Sequence, residues 1–194
     1  MRRRNARLPP RVVMPGPQSA IVVGPSGEEI HADDFGRVKV HFHWDRYDKS
    51  NEKSTCWVRV SQPWAGKGWG AFFWPRVGHE VVVAFEEGDP DRPIIVGSVY
   101  NAENMPPLPL PASNLVNGIK SCSERGKSHA NYNGGVFHAE LGNEHVQVHS
   151  EKHGVTTNEN SQRTHVGKSH QLIVGALPML GSGSGGGGDN QPLQ

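Results

Sequence analysis

The sequence predicts an all-β chain, on three observations. With Gly 24 and Pro 15 in 194 residues, it is punctuated too densely for ordinary helices. Between Asp33 and Asn101 it alternates apolar and polar residues in short runs, the pattern of half-buried strands. Between residues 136 and 175 the alternation returns with so little apolar material that a separate core is excluded.

Each region follows from its composition. Residues 1–20 are rich in Arg and Pro and read as an extended lead-in. Ala20–Gly24 is a first strand, and Pro25-Ser26-Gly27 a turn. In Arg37–Trp44, Val38, Val40, Phe42 and Trp44 share one face, and Lys39, His41 and His43 the other. Asp45–Ser54 is a charged loop. Cys56–Gln62 alternates again, with Val58 and Val60 opposed to Trp57 and Arg59. Gly66–Gly70 and Pro75–Gly78 are turns around Ala71–Trp74. Glu80–Phe85 and Pro93–Tyr100 are the last two strands of this set. Five or six short strands with Gly/Pro turns over residues 21–101 suit a small closed barrel of the oligosaccharide/oligonucleotide-binding (OB) type.

Residues 102–135 carry Pro106, Pro107, Pro109 and Pro111 and read as an extended surface connection. In residues 136–175, Val136–Glu140 and His145–Ser150 alternate, and His165-Val166-Gly167 and Ile173-Val174-Gly175 recur eight residues apart. A short repeat with Gly at a fixed place fits strand units that become stable only by stacking on neighbours or other chains. Residues 176–194, with Gly181–Gly188, read as a flexible tail.

The composition excludes several classes of function. Formal net charge is +1, so nothing in the charge balance points to nucleic acid or a membrane surface. The N-terminal arginines are not followed by an apolar stretch of signal-peptide type, and no membrane-spanning run is present. Cys56 and Cys122 make no disulfide framework and no Cys-x-x-Cys, and read as free thiols. No nucleophile motif or acid/base pair stands out, so an enzyme is not expected, and neither is a cofactor.

Several long motifs carry a family resemblance. Asp34–Arg46, Ser54–Gly70, Pro75–Val81 and Glu87–Asn101 resemble the barrel domain of VgrG proteins, the spikes of type VI secretion systems. The similarity continues through Gly118-Ile119-Lys120-Ser121 and, more loosely, to His153, covering about residues 10–175. The resemblance implies a small OB-fold-type barrel followed by the start of an intertwined trimeric β-helix needle. It implies a homotrimer that puncturing machinery drives transiently through a target-cell membrane. Hub and tail-tube proteins, a Pro-Ala-Ala-Arg (PAAR)-type tip protein and effectors are the implied partners. Assembly in the cytoplasm followed by secretion into a target cell is the implied localisation. Full-length members carry hub domains before the barrel, where this chain has a short lead-in, so a truncated, split or minimal spike is expected.

Three sets of residues remain to be weighed. Val146, Val148, Val166, Ile173 and Val174 are the apolar positions available to a trimer interface. His145, His149 and His153 recur every four residues and could stack around a trimer axis to hold an ion; solvent-facing or polar-stacked rings are the plainer reading. His41 and His43 read as surface histidines. Gly88-Asp89-Pro90-Asp91 reads as a turn with Arg92 pairing either carboxylate. Trp44, Trp57, Trp64, Trp69 and Trp74 read as core and subunit contacts. The alternatives are a nucleic-acid-binding barrel that uses them as stacking platforms, and a spike-associated cell-wall hydrolase.

Overall fold

A computed structural model describes residues 11–47, 49–125 and 130–175. The described residues up to 153 form one compact unit and those of 154–175 another. Among its described residues the first contains ten strands and a short 3-10 turn at Glu86–Gly88.

Seven strands build the barrel region: β1 (Gln18–Val23), β2 (Lys39–Phe42), β3 (Arg59–Val60), β4 (Trp64–Ala65), β5 (Gly70–Ala71), β6 (Glu80–Phe85) and β7 (Pro93–Val99). Five of them form one sheet in the order β2-β1-β6-β7-β3. All neighbours are antiparallel except β3 and β7. The sheet curls until its edges meet: Val38, just before β2, and Val58, just before β3, exchange hydrogen bonds of 3.0 and 2.8 Å. Curling satisfies the edge groups that a flat sheet would leave open.

Register places the core. Ala20 lies opposite Phe42 and Val81, Val22 opposite Val40, and Val83 opposite Ile95. These seven residues, with Val38 and Val58, make the buried cluster. The alternation of β2 therefore works as expected for Val38, Val40 and Phe42. Trp44 departs from it, because the chain turns at His43 and leaves the indole stacked on the Phe42 ring at 5.2 Å, 60% exposed. Between β6 and β7 the register slips by one, leaving Val96 as an extra residue that turns outward.

The second sheet has the order β10-β9-β8 and is antiparallel throughout. Its strands are β8 (Val116–Cys122), β9 (Tyr132–His138) and β10 (His145–His149). All of β8 and most of β9 fall in residues 102–135, the stretch expected to be an extended connection. The prolines that suggested it end at Pro111, and the chain is free to pair from Val116 onward. The expected strand at His145–Ser150 is present as β10.

Residues 154–175 contain no strand and are exposed throughout. The repeats around Val166 and Ile173 therefore make no ladder within a single chain. The lead-in is described only from Arg11, where Met14 N–H donates to Gly88 O at 2.8 Å. The Gly-rich tail lies outside the described residues. Among the described residues no helix is long and apolar enough to cross a membrane.

Candidate subunit interface

The register of the second sheet sorts its side chains into two faces. Val116, His138 and His145 form one cross-strand row; Gly118, Val136 and Gln147 the next; Lys120, Gly134 and His149 a third. The Leu108 and Leu110 segment lies against this face, around a cavity of about 330 Å³. The opposite face carries Phe137 beside Val146, and Ile119 in the row of Gly135 and Val148. Nothing in the chain covers that second face among the described residues: Ile119 is 60%, Phe137 57%, Val146 65% and Val148 80% exposed. Four large apolar side chains on one strand face form a contiguous patch, and such patches mark interaction surfaces.

Two of the five sequence-derived interface residues, Val146 and Val148, stand on this patch. Val166, Ile173 and Val174 belong to the second unit, which has no strand among its described residues, and are exposed. Ile119 and Phe137 complete it and were missed, because β8 and β9 are too glycine-rich to show alternation. The glycines themselves are required. A Cβ on Gly118 would lie 2.4 Å from Gly135 O, and one on Gly134 2.5 Å from Ile119 O. Gly135 differs, with its nearest neighbour at 3.9 Å.

The histidines are distributed differently from their spacing. His145 stacks on His138 across the strands, His149 stacks on Tyr132, and His153 follows the last strand. Four residues along a strand span about 13 Å, so His145 and His149 do not share one site in a single chain. Among the described residues no group of three or more metal-binding side chains converges. His41 lies on β2 and His43 in the turn after it.

The barrel contributes a second aromatic surface. β4 and β5 form a hairpin whose Trp64 and Trp69 meet edge to face at 5.1 Å. Gly66 is small because the Trp69 ring occupies the space a Cβ would take. Gln62 fastens the hairpin, accepting from Phe73 N–H at 2.8 Å and donating to Phe73 O at 3.2 Å. Trp44, Trp64, Trp69 and Trp74 are exposed and Trp57 is half-buried, so no tryptophan enters the barrel core. The core half of the expectation for the tryptophans is corrected: the buried cluster is made of valines with Ala20, Phe42 and Ile95.

Charged groups lock the loops. Asp89 is nearly covered and pairs with Arg11. The Asp91 backbone N–H holds its pKa below the ordinary 3.8; desolvation opposes this, and Arg11 adds to it. Arg92 acts on Asp89 through its charge, which also lowers that pKa, but its close ion pair is elsewhere. It joins Arg59 on Glu86, since the 3-10 turn swings Glu86 between them. Burial resists ionisation of Asp33, but the guanidinium and N–H of Arg37 and the N–H of Phe35 outweigh it and lower its pKa. Arg76 donates to Cys122 O at 2.6 Å and lies 3.5 Å from Glu29, tying β8 to the barrel.

These features define a structural module: a small barrel, stiffened by loop ion pairs, that presents a sheet with one apolar face unmet. Residues 20–100 match the type VI secretion system/phage-baseplate injector OB domain. The chain is 54% identical over 165 residues to the type VI secretion system spike protein VgrG1b of Pseudomonas aeruginosa, covering 85% of this chain and 22% of that protein. It is 51% identical over 137 residues to the spike protein VgrG3 of Vibrio cholerae, covering 71% and 13%. It is 44% identical over 170 residues to the actin cross-linking toxin VgrG1 of Vibrio cholerae, covering 88% and 15%. The chain belongs to the VgrG family of type VI secretion spike proteins, and spans less than a quarter of the length of these relatives.

Proposed function

We propose that the chain is a structural segment of a type VI secretion spike, acting as a homotrimer. The observation that carries this reading is the uncovered apolar face of Ile119, Phe137, Val146 and Val148. Three copies meeting through that face would bury it and give residues 154–175 neighbours to pair with. Interchain ladders would then satisfy backbone groups that one chain leaves to solvent. A rod held by continuous hydrogen bonds resists bending, which a device pushed through a membrane requires. Hub and tube proteins at the barrel end, and a PAAR-type tip protein with effectors at the needle end, are the partners this role calls for. The segment's work is mechanical rather than catalytic. Assembly would precede its passage out of the cell.

Light scattering of the full chain at micromolar concentration tests the reading. A molar mass three times the 21.2 kDa of one chain is expected. A monomer at that concentration would overturn it.

A further inference from the structure

We infer that His138 and His145 form a two-histidine site for a nitrogen-preferring divalent transition-metal ion such as zinc. The two residues are direct cross-strand partners at the turn end of the β9–β10 hairpin. Their rings lie 3.9 Å apart, centroid to centroid, inclined by only 15°. Two nitrogens sharing a tetrahedral zinc, each at about 2.0–2.1 Å, are about 3.3 Å apart. Stacked rings hold their lone pairs in nearly parallel planes, so both imidazoles must turn out of the stack before two nitrogens reach that spacing around one ion; their positions directly opposite each other on neighbouring strands, with Cβ atoms about 5 Å apart, allow it.

A second observation fixes the chemistry of one ligand. His145 Nδ1 lies 3.0 Å from Asn143 O. A carbonyl oxygen only accepts, so this contact calls for the proton on Nδ1, and the neutral ring with that tautomer has its lone pair on Nε2. Metal-binding histidines are set in this way, with the other ring N–H held by a carbonyl or carboxylate. The hairpin turn supplies that carbonyl through its own geometry. The turn's carboxylates are committed elsewhere: Glu140 accepts from Asn143 at 3.2 Å, and Glu144 accepts from the Gly142 N–H at 2.9 Å. Water would complete the coordination, leaving an open and modest site. His145 is exposed and His138 half-buried, so an ion has a path to both.

This site differs from a stack of His145, His149 and His153 along an axis. It needs one chain only, and it does not depend on the trimeric reading.

Calorimetric titration of the full chain with Zn(II) tests it, with Mg(II) as the oxygen-preferring control. One tightest site per chain is expected. Losing an outer-shell partner costs metal sites about 10- to 100-fold in affinity; H138N and H145N, which remove a ligand, should each weaken this site at least that much. The double substitution H41N/H43N should leave it unchanged. If the tightest Zn(II) site survives in H138N and H145N, or is lost in H41N/H43N, the inference is wrong. Should a variant fail to fold, the unaltered chain still decides. Zn(II) should protect His138 and His145 from acylation by diethyl pyrocarbonate, read by peptide mass spectrometry. Equal modification of both residues with and without Zn(II) would refute the site.

Discussion

Val148→Asp is the sharpest perturbation of the uncovered sheet face. Val148 is 80% exposed, so the folded single chain loses little when it changes. Surface substitutions of this kind usually alter stability by no more than about 0.5 kcal/mol. Association is different. Fully burying a large apolar side chain gains about 1.5–3 kcal/mol. With more than half of each still accessible on Ile119, Phe137, Val146 and Val148, covering one gains about 1–2 kcal/mol, and covering all four about 4–8 kcal/mol per chain. Replacing Val148 removes its share and places a carboxylate where water is to be expelled, a further penalty. A loss of about 1.4 kcal/mol is tenfold in an equilibrium constant. Three copies per trimer make the combined effect about a thousandfold. Sedimentation equilibrium across a concentration series reads it directly, with circular dichroism confirming that the fold is kept. The reasoning is refuted if Val148→Asp associates as tightly as the unaltered chain.

Three further outcomes are expected. Gly134→Ala should lower the thermal midpoint, because its Cβ would meet Ile119 O at 2.5 Å, whereas Gly135→Ala should be tolerated; overpacking typically costs about 1–3 kcal/mol, and equal midpoints would show that the close approach is not rigid. Ile95→Ala, in the fully buried cluster, should destabilise the chain by about 2–5 kcal/mol in a denaturant titration; a change below half a kcal/mol would mean that the barrel core does not carry the stability. The lowered pKa of Asp89 means that its contribution is present above the ordinary carboxylate pKa and is lost as pH falls below about 4. Asp89→Asn should therefore flatten part of the acid limb of a midpoint-versus-pH profile, and an unchanged acid limb would remove Asp89 from that role.

The barrel was legible where strands are regular. Glu80–Phe85 reads as an apolar run and forms β6 over the same residues. The valines of Arg37–Phe42 alternate and turn inward as the period requires. Trp44 escaped because alternation continues in letters after the backbone has turned. The second sheet was only half legible. In β8, Val116 and Ile119 stand three apart and fall on opposite faces, and Gly134 and Gly135 make β9 look like a turn. Only the pairing of three strands shows that Ile119, Phe137, Val146 and Val148 belong together. The histidines teach the same lesson. Spacing along β10 links His145 to His149, while the true neighbour of His145 is His138, seven residues back and across the hairpin. Arg11 and Asp89 are likewise joined by folding and not by any local pattern.

Electron cryomicroscopy of the full chain in its assembled form tests most directly whether the apolar face is an interior surface. Three copies are expected, with Ile119, Phe137, Val146 and Val148 of each in contact with a neighbouring chain. An assembly in which that face stays open to solvent, or contacts only its own chain, would contradict the trimeric spike.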